Sequence, residues 1–221
     1  MTYDTVVFDN DGVLVGRTRY DVLREATEDT FEQFDVTDFD PDHAHDMTVG
    51  TTPGKVGGIT DLYGLDARAF WEARERSLSL AQQKEARAGR KTPYDDIDEL
   101  ESLDVDMGIV SSNQQETVDF LLDHFELGHL FGAAYGREAT IGSLDRRKPN
   151  PYYIDRALED IDPGPGRILF VGDNESDVVA AQNAGIDSAF IRRPHREDWD
   201  LNVWPTWVID ELADLHDICE G

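Results

Sequence analysis

Residues 5–16 read "TVVFDNDGVLVG", and in them three apolar side chains, Val6, Val7 and Phe8, run directly into Asp9, Asn10, Asp11 and Gly12. In an extended chain Asp9 and Asp11 share one face, roughly 6.6 Å apart. Two carboxylates that close repel each other unless a cation lies between them. Magnesium suits oxygen ligands and needs only one or two carboxylates from the protein. The alternative is a turn in which each aspartate bonds nearby backbone, and Asp-Gly favours a turn either way. Other reactive types stand in similar settings. Ser111 follows "GIV" and could offer its hydroxyl and neighbouring N–H groups to an anion, or simply cap a helix. Lys148 lies in "RRKPNP", where Pro149 and Pro151 stiffen the chain around it. Asp173 and Asp177 stand in "VGDNESD", about one helical turn apart.

What must position these side chains is a set of short apolar runs. "TVVFDND", "DMGIVSSN" (106–113) and "RILFVGDNESD" (167–177) each end in a polar cluster and read as buried strands. A helical pattern follows the second, with Val118, Leu121 and Leu122 at helical spacing. Another follows the third and ends at Gly185, a C-terminal cap. "SAFIRRP" makes a fourth run. Strands alternating with helices imply an α/β, doubly wound, Rossmann-like sheet, mostly parallel, with helices on both faces. Ligands of such sheets sit at the carboxyl ends of the strands, where all three polar clusters fall. Residues 18–90 differ: "RYDVLREATEDTFEQF" and "DARAFWEARERSLSLAQQKEARAGR" read as helices, with the glycine-rich "MTVGTTPGKVGG" between them as a loop. This is an inserted α-helical unit. The expected division is a core of residues 1–16 and 91–221 and a helical domain of 17–90.

In this order, "DNDGVLV", "GIVSS", "KPNP" and "GDNESD" resemble the four motifs of the haloacid dehalogenase-like hydrolases. The similarity is nearly continuous from residue 92 to about 193, and the helical insert sits where that family carries its first cap domain. The resemblance implies a phosphatase. Asp9 would be the nucleophile that takes the phosphoryl group as an aspartyl phosphate, a case of covalent catalysis by a carboxylate. Asp11 would protonate the leaving oxygen and then deprotonate water. Ser111, helped by N–H groups near Ser112, and Lys148 would bind and neutralise the phosphoryl group. Asp9, Asp173 and the backbone carbonyl of Asp11 would hold Mg2+, with Asp177 either a ligand or a supporting partner. Phosphoryl transfer mainly needs such positioning and charge neutralisation.

The insert would set the substrate, a small phosphorylated metabolite; phosphoglycolate is the most familiar for a capped relative of this size. "VGTTPGKVGG" resembles the family's specificity loop, and Lys55, Arg17 and Arg19 either contact an anionic substrate or are solvated. Gly16, Arg17 and Thr18 replace the Asp-Ser that many relatives carry after the first motif. His43 and His45 read as solvated loop residues, and Trp71 as core. A phosphomutase would share the aspartyl phosphate, and the motifs do not separate it from a phosphatase. A dehalogenase would lack Asp11. A phospho-accepting signalling module of the receiver type would be about half as long, with its acceptor after the third strand.

Forty-seven acidic residues face twenty basic ones, for a formal charge of −27, and the lysines are Lys55, Lys84, Lys91 and Lys148 alone. Nucleic acid needs a basic footprint, and none is visible; anionic membranes would be repelled. This composition resembles that of halophilic archaeal proteins. At about 1 M salt the Debye length is roughly 3 Å, which screens such self-repulsion. Cys219 is the one cysteine, so no internal disulfide is possible. No signal-peptide pattern or long apolar run is present, and a cytoplasmic monomer or homodimer is expected.

Overall fold

The computed structural model describes residues 2–164 and 166–220. Six strands form one sheet in the order β3-β2-β1-β4-β5-β6, all paired in parallel. They are β1 (Tyr3–Phe8), β2 (Asp106–Gln114), β3 (Ala133–Arg137), β4 (Arg167–Gly172), β5 (Asp187–Ile191) and β6 (Trp207–Ile209). Val6, Val7 and Phe8 are all fully buried, because β1 is central and covered on both faces. Their period-2 alternation divides them. Val6 and Phe8 join Ile109, Leu169, Val171 and Ile191 in one apolar layer. Val7 joins Val110 and Phe170 in the other, under Tyr153, Ile154 and Ala157 of α6 (Tyr152–Ile161) and Ala180 and Ala181 of α7 (Glu175–Ala184).

The alternation of runs and helices predicts four strands; the two further strands are β3 and β6. Both flank the four that were read, at the two ends of the sheet. β3 is five residues with a glycine, and β6 is three residues with Trp207 and Val208 exposed. β3 lacks the continuous apolar run that marks a central parallel strand, and β6 is a run of only three residues, two of them exposed.

Four helices lie between β1 and β2: α1 (Tyr20–Gln33), α2 (Pro41–Thr48), α3 (Pro53–Leu62) and α4 (Ala67–Arg87). They share an apolar cluster of Phe31, Ala44, Met47, Val56, Ile59, Phe70 and Trp71, which Leu144 enters from beyond β3. Phe31 stacks on Phe39 with ring centroids 4.9 Å apart. The expected glycine-rich loop is largely helical and needs correction. Thr52 caps α3 by accepting from the Lys55 N–H at 3.3 Å, and Pro53 occupies its first turn. Val56, Ile59 and Thr60 are buried at helical spacing. That burial outweighs the poor helix propensity of Gly54, Gly57 and Gly58. His43 and His45 likewise belong to α2, started by Asp40 and Pro41, and not to a loop. No helix among the described residues is long and apolar enough to cross a membrane.

Candidate active site

β1 pairs with β2 on one side and β4 on the other, and the chain winds outward in both directions from there. The crevice at such a switch of direction is where doubly wound sheets bind ligands. Asp9 follows β1 and Asp173 follows β4, so both open into it. The turn after β1 is tight. The carbonyl of Asn10 accepts from the N–H groups of Leu14 at 3.0 Å and Val15 at 3.1 Å. Gly12 sits at φ +89°, and a Cβ there would meet Asp173 Oδ2 at 2.6 Å. Only glycine satisfies both the left-handed backbone and that approach.

Asp173 and Asp177 are brought to the same point by the start of α7. Asn174 caps the helix, and Asp177 Oδ2 accepts from the Asn174 N–H at 3.0 Å, closing a capping box. Gly185 ends the helix in the left-handed conformation expected of it. Gly172 lets α7 close on β4, since a Cβ would lie 2.2 Å from Asp177 Cβ.

Lys148 ties these groups together. Its ammonium lies 2.9 Å from Asp9 Oδ1 and 2.7 Å from Asp177 Oδ1, and it donates to the Val110 carbonyl at 3.0 Å. Its side chain is only 3% exposed, and it meets Asp177 Oδ1 as an ion pair, leaving that buried oxygen without a hydrogen bond. Burial opposes its charge, but Asp177 and Asp9 more than offset that and raise its pKa above the usual lysine value. Burial drives Asp9 the other way from an ordinary carboxylate. Its pKa is pushed up to about 8, with Asp177 and Asp173 adding repulsion and Lys148 only partly relieving it. Burial also raises Asp177. Burial would raise Asp173 as well. A contact of 2.6 Å from His195 Nε2, with the charges of Arg196 and Arg17, overcomes this and holds it below the usual range.

One carboxylate oxygen each from Asp9, Asp173 and Asp177 lies within 4.8 Å of the others. Two of these buried acids, Asp9 and Asp177, share the Lys148 ammonium, and the donors are all oxygen. That set suits a hard divalent cation. The Asp11 carboxylate stands outside it. Lys91, whose side chain is fully buried, pairs with Asp11 Oδ1 and also donates to the Gly16 carbonyl at 2.8 Å. Asn113 Nδ2 donates to Asp11 Oδ2 at 2.9 Å.

A cavity of about 250 Å³ opens beside the cluster, lined by Asp9, Asp11, Ser111, Ser112 and Asn113 from the sheet side. Asp9 is the one member of the carboxylate cluster that lines it. Ser111 is 2% exposed, and its Oγ accepts from the Asn113 N–H at 3.1 Å. From α4, Gln82 Nε2 donates to Asn113 Oδ1 at 2.9 Å, linking the helices to the end of β2, whose Asn113 holds Asp11. Of the three basic residues weighed for substrate contact, only Arg17 lines the cavity. Lys55 pairs with Asp46 at 2.7 Å, and Arg19 pairs with exposed Asp21. His43 and His45 diverge, to the hydroxyls of Tyr63 at 2.8 Å and Tyr20 at 2.7 Å. Trp71 is core, 1% exposed, and one side of it also lines the cavity.

Sequence reasoning did not single out Lys91, Gln82, Arg74, Arg137, Arg147 or His195. Lys91 had a signal: it is one of four lysines in a strongly acidic chain, at the return from the insert. Arg137 ends a strand at the sheet's carboxyl edge and was legible for that reason once β3 was recognised. Arg74 and Gln82 were not, because a polar residue on a long helix ordinarily faces water.

Residues 6–191 match the haloacid dehalogenase-like hydrolase family, and the chain belongs to it. Pyrophosphatase PpaX of Bacillus mycoides (strain KBAB4) is 28% identical over 222 residues, covering 97% of this chain and 96% of that protein. Among solved structures, CbbY from Rhodobacter sphaeroides in complex with phosphate superposes with a TM-score of 0.72 at 17% identity, over 97% of this chain and 96% of that one. A predicted phosphoglycolate phosphatase from Haemophilus somnus 129pt gives 0.64 at 21% identity, over 98% and 97%. The two structures share the fold.

Proposed function

We propose that the protein is a magnesium-dependent phosphatase that hydrolyses a small phosphorylated metabolite through an aspartyl phosphate on Asp9. The observation that carries this is the buried cluster of Asp9, Asp173 and Asp177, with Lys148 between Asp9 and Asp177 and Asp9 alone of the three acids reaching the cavity. Family membership and the phosphatase names among its relatives support it.

Asp9 Oδ attacks phosphorus, and the bond to the leaving oxygen breaks. The Asp11 carboxyl, held by Lys91 and Asn113 at the cavity wall, gives that oxygen a proton. It then takes one from the water that hydrolyses the intermediate. Ser111 and the N–H groups around Ser112 hold the phosphoryl oxygens. Lys148 keeps Asp9 aligned and balances charge on the transferred group. Asp9, Asp173 and the Asp11 carbonyl would hold magnesium. Asp177, committed to Lys148 and the Asn174 N–H, braces the lysine. When bound, the cation neutralises the acids and the phosphate so that nucleophile and substrate can approach. Residues 17–90 act as a cap over the cavity.

A screen of phosphorylated metabolites with magnesium, in molar potassium chloride, tests this reading. Turnover should require magnesium and vanish with excess chelator; full activity in chelator would refute the metal assignment. The raised pKa of Asp9 adds a pH signature. A ligand must be deprotonated to bind metal, so magnesium binding below about pH 8 should release protons and tighten as pH rises. Calorimetry in buffers of different ionisation enthalpy measures this, and buffer-independent heats at pH 7 would contradict it.

The net charge of −27 supports a halophilic protein. Its unfolding midpoint should fall steadily from about 3 M to 0.1 M salt as screening is lost. A midpoint independent of salt would refute the halophilic reading.

A further inference from the structure

Three guanidinium groups line the same cavity as Asp9: those of Arg74, Arg137 and Arg147. They arrive from separate parts of the chain. Arg74 is on α4, Arg137 ends β3, and Arg147 immediately precedes Lys148. Arg74 and Arg137 share one carboxylate, Glu75, and the side chains of Arg74, Glu75 and Arg137 are at most 5% exposed; Arg147 is partly buried. Arg74 also donates to the carbonyls of Met47 at 2.8 Å and Thr48 at 2.9 Å. Arg137 donates to the Ser112 carbonyl at 3.2 Å and Ser143 Oγ at 3.1 Å.

An Arg–Glu–Arg bridge accounts for two of these residues as structural links between the helices and the sheet. It does not account for Arg147. Among the described residues no carboxylate bonds to Arg147; its Nε and Nη2 donate to the carbonyls of Leu144 and Thr51. The exposed Asp145 acts on it only as a nearby charge. Burial and the other guanidinium groups depress the pKa of both Arg74 and Arg147, so the cluster is short of negative charge. In a chain with forty-seven acids and twenty bases, this wall of the cavity is locally cationic.

We propose that Arg147, backed by Arg74 and Arg137, binds a second anionic group of the substrate, apart from the phosphoryl group that Asp9 attacks. The proposal rests on the phosphatase reading above and narrows it. The cavity of about 250 Å³ is below the ~300–1,000 Å³ typical of drug-sized ligands, so both charges belong to one compact molecule. The second group is a carboxylate or another phosphate. Planar guanidinium forks match either one with paired N–H donors.

The test compares kcat/KM for 2-phosphoglycolate, pyrophosphate and 2-hydroxyethyl phosphate, which has a neutral tail. One or both of the two-anion compounds should be preferred to the neutral ester, and which one identifies the second group. Arg147→Met should shrink that preference about 10- to 100-fold, the range for one charge-assisted hydrogen bond. Arg147→Lys, which keeps the charge without the fork, should restore part of it. A neutral ester used as well as both two-anion compounds would overturn the proposal, and so would a preference unchanged in Arg147→Met. If no compound is turned over, the phosphatase reading fails and binding decides the subsite. Calorimetry with pyrophosphate and with 2-phosphoglycolate should then show weaker binding of at least one to Arg147→Met than to the wild type. Equal or absent binding for both would overturn the subsite.

Discussion

Asp9→Asn should reduce turnover to background, a loss of several orders of magnitude, with the fold intact. The amide keeps the shape of the carboxylate and removes the nucleophile, so no aspartyl phosphate forms. Folding should survive because Asp9, raised to about 8, is already mostly uncharged at neutral pH without metal, so the amide alters little of the buried charge. Asp11→Asn should behave differently. Its carboxylate lies outside the buried acid cluster, engaged by Lys91 and Asn113. The substitution removes a proton donor and acceptor, worth about 10²- to 10⁴-fold. A substrate with a good leaving group, such as p-nitrophenyl phosphate, hardly needs the acid. It should still phosphorylate Asp9, and slow hydrolysis should follow because no base activates water. Stopped-flow absorbance should show a nitrophenol burst and then a slow phase. Wild-type activity in Asp9→Asn would end the covalent mechanism, and a burst in that variant but not in Asp11→Asn would reverse the two roles.

Lys148→Met should both abolish activity and destabilise the protein by about 3–5 kcal/mol, the cost of stripping the partner from a buried charge. That is a large share of the ~5–15 kcal/mol that holds a domain folded. The lost ammonium serves Asp9, Asp177 and the Val110 carbonyl at once, and no other cation bonds to Asp9 or Asp177 among the described residues. The pH dependence has a definite sign. Asp9 is raised from its ordinary 3.8 to about 8 in the folded chain, so between those values the native state holds a proton that the unfolded chain has released. Stability of the metal-free wild type should therefore fall as pH rises through that window and level off above it. Removing Lys148 should deepen the fall, since nothing then offsets the repulsion. Urea midpoints in chelator at pH 5 and pH 8 measure this. A variant as stable as the wild type at pH 8, or a wild type more stable at pH 8 than at pH 5, would contradict the electrostatic account.

The groups we assign to the site were legible because chemistry and topology coincide in this fold. Val6, Val7 and Phe8 must be buried on both faces, and the chain can expose polar side chains only where the strand ends; Asp9 stands at that point. The same logic placed Ser111 after "GIV" and Asp173 after "FVG". Asp177 was legible by helical spacing, and the structure adds what spacing could not: the capping box that turns it toward Lys148. Lys148 was legible only through the order of motifs, since nothing local says which acids a lysine between two prolines will meet.

Local sequence alone therefore determined the alternating α/β plan, the helical insert, the acidic surface and the strand-end acids. These rest on periodicity, composition and chain geometry, which act over a few residues. Tertiary structure decided what depends on distant segments meeting. It made a helix of "PGKVGGITDL" by burying Val56 and Ile59 against Phe31 and Trp71. It also placed Lys91 on Asp11 across eighty residues of sequence and set Arg74, Arg137 and Arg147 in the cavity wall. A guanidinium on a helix face is indistinguishable in sequence from a solvated one. Whether it meets water or a ligand is settled by what packs beside it, and here that is the carboxyl edge of the sheet.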